Sequence, residues 1–134
     1  MAINYLAILA AAVASWIVGA GWYGVLGKQW MAAQGLTPEQ LGGSGGKTPI
    51  GPMVTSFVAE LVMAIVLAGL LAHLHFTTAR TGAIAGALCW MGFVATSIAV
   101  NNAFQKRSVS LTLIDSGHWL LVLIVQGAVL GFLS

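Results

Sequence analysis

The chain has 134 residues, of which 59% are hydrophobic and only 6% charged, with a mean hydropathy of +0.95. A soluble domain needs a polar surface that this composition does not supply, so an integral membrane protein is expected, with the lipid bilayer as its solvent. Five basic and three acidic groups, net charge +2, are too few and too scattered for a nucleic-acid surface, and Cys89, the single cysteine, excludes an intrachain disulfide or a multi-cysteine metal site.

Residues 1–27 contain no Asp, Glu, Lys or Arg. A run of that length crosses the ~30 Å hydrocarbon core as a helix, and a transmembrane helix is expected over about 3–25. Trp22 falls near its end and Lys28 and Trp30 just beyond, the order expected where amphipathic rings sit at headgroup level and an ammonium reaches water. A cleaved signal peptide fits less well: positions 1–5 carry no Lys or Arg, and the apolar run passes the Ala-rich sites into Trp16 and Trp22. Next, Thr37-Pro38-Glu39-Gln40 has the signature of a helix start, and Gly42-Gly43-Ser44-Gly45-Gly46 ends it at once. A flexible loop over about 37–52 is expected. No strand precedes Gly42, which removes the support a phosphate-binding loop would need.

Three more apolar segments follow, at about 53–74, 81–100 and 111–133. Each approaches the ~17–25 residues needed to span, and the alternation typical of barrel strands is absent. The expected fold class is therefore all-α: four transmembrane helices in one bundle over 1–134, with no soluble domain. Lys28, Lys47, Lys106 and Arg107 lie in the first and third connections, and Arg80 alone in the second. The positive-inside rule places the two basic loops in the cytoplasm of a bacterial inner membrane and both termini outside. Trp22, Lys28, Trp30, Arg80, Lys106 and Arg107 are the expected interface anchors.

Gly19-x-x-Trp22-Tyr23 with Gly27-Lys28-x-Trp30, Gly86-x-x-x-Trp90-x-Gly92-Phe93, and the closing Gly127-x-x-x-Gly131 together resemble a small bacterial membrane family known as domain of unknown function 1761. Gly24-Val25-Leu26 is shorter than the corresponding stretch in that family, where a Ser-Pro and a Phe often stand. The resemblance covers nearly the whole chain and implies four helices. It implies no activity, ligand or catalytic residue.

In lipid, helices approach closely where side chains are small. Ala7, Ala11, Ser15 and Gly19 repeat at four-residue spacing in the first helix, and Ser56, Ala64, Ala68 and Ala72 share a face of the second. Gly82 and Gly86 in the third and Gly127 and Gly131 in the fourth complete the expected packing set. Trp16 and Trp90 fall near mid-helix, where each indole N–H needs a partner.

Glu60 is the most informative polar residue, because it shares the small-residue face and ionisable groups inside membranes face an interior, a cavity or a partner. The bland alternative is a Glu60 that snorkels at the interface. Asp115 and His118, three apart, are neighbours on the fourth helix. Counted from the helix starts, Glu60 and His118 both lie ~10 Å below the basic side, and Tyr23 and the Thr96-Ser97 pair fall near that level. One polar intramembrane layer of Glu60, His118, Asp115, Tyr23, Thr96 and Ser97 is expected, against the alternative of an interfacial rim. Within it Glu60 and His118 would titrate as a coupled pair.

His73 and His75 are two apart, on different helix faces, so no metal site is expected there, and His118 lies at the opposite end, which argues against haem. HExxH, Gly-x-Ser-x-Gly and CxxC motifs are absent, so neither a cofactor nor an enzyme is expected. The expected function is an oligomeric proton-linked transporter or channel for a small solute or ion, with a buried carboxylate. The alternative is a non-catalytic accessory or assembly subunit of a larger membrane complex.

Overall fold

Asn4 starts the first helix by accepting the Ala7 N–H on its side chain at 3.0 Å, and Gly35, at φ 69, ends it in the left-handed conformation that glycine adopts without penalty. The computed structural model describes residues 4–35, 50–75 and 77–134. The helices are α1 (Tyr5–Gln34), α2 (Ile50–Ala72), α3 (Ala79–Phe104) and α4 (Val109–Leu133). All four are long and apolar enough to cross a membrane.

The boundaries differ from the sequence expectation in instructive ways. Helix α1 runs to Gln34, well past 25, because Lys28, Gln29, Met31, Ala32 and Ala33 all favour helix and no proline intervenes. The first charge ends the uncharged run, not the helix. Of the expected loop, 37–49 and with it Lys47 lie outside the described residues, and 50–52 already belong to α2. Helix α3 begins at a reciprocal cap: Thr78 accepts from the Thr81 N–H at 3.1 Å and Thr81 Oγ1 from the Thr78 N–H at 2.7 Å. It is α-helical over Ala79–Cys89, widens into a π-helical segment over Trp90–Ala95, and resumes as Thr96–Phe104. Ser108 caps α4 by accepting from the Leu111 N–H at 3.1 Å.

Helix α4 is the centre of the bundle. Helix α1 lies antiparallel along one side: Asn4 Nδ2 donates to the Leu133 carbonyl at one end (3.1 Å), and Ser108 Oγ to the Ala33 carbonyl at the other (2.9 Å). Helix α3 lies antiparallel along another side, backbone against backbone. A Cβ added at Gly82 would fall on the Gly127 carbonyl, one at Gly86 on the Leu123 carbonyl and one at Gly131 on the Thr78 carbonyl. Helix α2 packs on α1 and α4 through Ala64, Leu67 and Leu71. Of the packing set, Ala11, Ser15, Gly19, Ala64, Gly82, Gly86, Gly127 and Gly131 are buried and Ala68 is half-buried.

Exposed Lys28, Lys106 and Arg107 share the end where α1 finishes and α4 begins, and exposed Arg80 lies at the other. Trp30 is half-buried near the basic end, its ring edge-on to Tyr23 at 5.9 Å. Trp22 departs from its expected anchor role. Because α1 continues three turns beyond it, Trp22 wedges between helices, donating Nε1–H to the Ile114 carbonyl at 3.0 Å and leaving no room for a Cβ at Gly117. The mid-helix indoles find the required partners, Trp16 at the Met53 carbonyl (3.3 Å) and Trp90 at the Ser116 carbonyl (2.7 Å).

Candidate functional site

Three helices bring polar side chains to one buried junction. Ser15 from α1, Glu60 from α2 and Gln126 from α4 are each at most 1% exposed. Gln126 Nε2 donates to Ser15 Oγ at 3.1 Å and to the Glu60 main-chain carbonyl at 2.8 Å. A main-chain carbonyl can only accept, so the amide orientation is fixed, and Gln126 Oε1 is left buried without a donor. Ser56 Oγ donates to Glu60 Oε2 at 2.8 Å. Glu60 Oε1 is buried without a partner. Among the described residues the carboxyl is met by the Ser56 hydroxyl and not by a cation.

Buried polar atoms are almost always satisfied. Glu60 Oε1 and Gln126 Oε1 are two buried acceptors open to a group that donates or carries positive charge. A proton on the carboxyl, a small cation or a water fits that description. Beside the junction, an apolar cleft of about 600 Å³ lined by Trp16, Ile50, Met53, Val54 and Phe57 opens on the α1–α2 seam. Trp16 directly follows Ser15, and Phe57 precedes Glu60 by nearly one turn.

A second cluster lies nearer the basic end. Tyr23 Oη donates to Asp115 Oδ1 at 2.5 Å. The His118 ring lies 4.8 Å from that of Tyr23 and 4.6 Å from that of Trp119. His118 is 5% exposed, and its Nδ1 is buried without a partner. Its other nitrogen explains Gly19: a Cβ there would stand 2.6 Å from His118 Nε2.

The expected single layer is thus resolved into two levels. Ser15, Gly19 and Tyr23 lie four apart on α1, facing Gln126, Val122, His118 and Asp115 on α4. His118 and Gln126 are two turns apart, ~12 Å along the axis, with fully buried Val122 between them. Counting depth from helix starts assumes that the helices begin level. Helix α2 instead meets α1 near its middle, where the Met53 carbonyl takes the Trp16 N–H. Thr96 and Ser97 join neither cluster: both are exposed, and their hydroxyls donate to Gly92 and Phe93 carbonyls of their own helix at 2.9 and 2.6 Å. Gln126 was not among the expected site residues. Its signal was present, as a polar amide in an otherwise apolar stretch, eight residues beyond His118 on the same helix face. Among the described residues no group of three or more His, Cys, Asp or Glu converges as a metal site would require, and His73 and His75 are exposed just beyond α2.

A family model described as Protein of unknown function (DUF1761) matches residues 6–131. No curated protein and no solved structure matches the chain.

Proposed function

We propose a transport function for this chain, which belongs to the DUF1761 family: it resides in a bacterial inner membrane and moves a small cation in exchange for protons, with Glu60 as the shared binding carboxyl. The observation that carries this reading is the orphaned, fully buried Glu60 Oε1, on a residue whose main-chain carbonyl is held by Gln126, itself left with an orphaned Oε1. An ionisable group at such a place is expensive to bury and marks ion pathways in membrane helices. The apolar cleft at the α1–α2 seam, lined by Trp16 and Phe57, lies on the two helices that contribute Ser15 and Glu60. A second copy of the chain is the proposed partner, because four helices enclose little volume and α3 leaves Leu88, Met91, Phe93 and Phe104 exposed.

The test is counter-transport by the full chain in vesicles containing a trapped pH dye. An outward proton gradient is imposed, and sodium, potassium or tetramethylammonium ions are added outside. At least one of the three should alkalinise the lumen faster than in protein-free vesicles. If a folded, reconstituted protein responds to none of them, the reading falls and the accessory-subunit role takes its place.

In the proposed orientation the basic end faces the cytoplasm and both termini face outward. Cysteine at exposed Gln105, in a Cys89→Ala background, should be shielded from an impermeant thiol reagent applied to intact cells, and cysteine at Ser134 should be labelled. The reverse pattern would invert the topology.

A further inference from the structure

We infer that His118 is a second proton-binding site, lying on the route by which protons reach Glu60 from the basic end, and that Val122 closes this route against Gly19. The inference rests on the reading of Glu60 as a proton-binding carboxyl. Three observations carry it. The α1–α4 seam is polar from Asp115 and Tyr23 through His118, and polar again at Ser15, Gln126 and Glu60. His118 Nδ1 and Glu60 Oε1, one from each polar level, are both buried and unpartnered. Between the levels stands fully buried Val122, whose Cγ2 lies 3.6 Å from where a Gly19 Cβ would be.

The groups facing each site are few. His118 faces Tyr23 and Gly19 of α1, with Asp115 and Trp119 on its own helix. Glu60 faces Ser15 of α1 and Gln126 of α4, with Ser56 on its own helix. Asp115, half-buried and nearly one turn closer than His118 to the basic end, is where the route starts. A proton taken up there passes to His118 Nδ1. When Val122 swings aside, water enters the gap, the Nε2–H bond on the Gly19 side of the ring breaks and an O–H bond forms on Glu60 Oε1. Nothing but water and the proton takes part. Gly19 is required because it leaves the His118 ring and the Val122 side chain room against α1.

Carbodiimide labelling tests this without relying on transport, since the reagent modifies a protonated carboxyl that it can reach. The full chain in vesicles is treated with a water-soluble carbodiimide, and the Glu60-containing peptide is quantified by mass spectrometry, with Glu60→Gln as the blank. Val122→Thr keeps the shape but puts a hydroxyl in the gap, and should raise the labelling rate about tenfold, the order expected when an apolar barrier of one or two methyl groups is lost. Val122→Ile should lower it, which keeps the test decisive if the threonine variant folds poorly. His118→Gln should shift the pH midpoint of labelling by disconnecting one of two linked sites. Equal rates in wild type and both Val122 variants, or an unchanged pH profile in His118→Gln, overturn the inference. Normal counter-transport alongside those unchanged rates would discard only the route; altered labelling with no ion movement would discard only the transport reading.

Discussion

Gly127→Ala should sharply lower the thermal midpoint of the detergent-solubilised protein, and Gly127→Leu should leave no monodisperse protein. The added Cβ at Gly127 would fall on the Gly82 carbonyl, 2.6 Å from its carbon and 3.1 Å from the Ala83 nitrogen. All three atoms are backbone, so no side chain can rotate away and the two helices must part. Separating α3 from α4 loses contact along the whole glycine seam, because Gly86 and Gly131 rest on backbone carbonyls in the same way. Overpacking of this kind costs about 1–3 kcal/mol for a single methyl, and in lipid no hydrophobic effect between helices offsets it. Gly82→Ala attacks the same contact from the other side, so the double variant should be little worse than either single one. Gly69→Ala is the contrasting control. Gly69 is exposed in α2 with nothing within 4 Å of its Cβ position, and there alanine should stabilise the helix by up to ~1 kcal/mol. Equal midpoints for Gly127→Ala and wild type would mean that α3 does not pack as described.

How far this architecture could be read in advance follows from what each kind of signal reports. Charge and length report where an apolar run is interrupted, which is why four helices long and apolar enough to cross a membrane, and a basic end, were legible in 134 residues. The same signals are blind to where a helix stops in water, so α1 was expected to end near 25 although it reaches Gln34. Small residues report close approach, and Gly82, Gly86, Gly127 and Gly131 lie along the α3–α4 seam, a pairing that spacing within one helix does not name. What spacing along one helix cannot supply is the stagger between two. Trp22 therefore looked like a headgroup anchor and is a wedge against α4, and Glu60 looked level with His118 and lies with Gln126. The π-helical widening at Trp90–Ala95 had no sequence signal; it occurs where Trp90 reaches across to the Ser116 carbonyl.

Glu60→Gln should abolish cation-driven proton movement while leaving the thermal midpoint at or above that of wild type. The two halves of this expectation come from the same atoms. An amide oxygen at the Oε2 position still accepts the Ser56 hydroxyl, which is 2.8 Å away in the wild type. The amide N–H then stands where Oε1 is now partnerless, in a junction whose other orphan, Gln126 Oε1, needs a donor. Replacing a buried ionisable group that no cation among the described residues pairs removes a desolvation penalty and adds a possible bond, so stability should not fall. Function should fall completely, because an amide neither binds nor releases a proton near neutral pH. Glu60→Asp separates the chemistry from the shape: it keeps a titrating carboxyl but draws it back by one methylene from Ser56, and should retain partial flux with a displaced pH optimum. Glu60→Ala deletes the group and leaves a cavity, so it should be both inactive and less stable. If Glu60→Gln exchanged cations for protons as the wild type does, Glu60 would be no more than a buried strut between α2 and the other helices, and the ion-binding site would have to be sought elsewhere in the bundle.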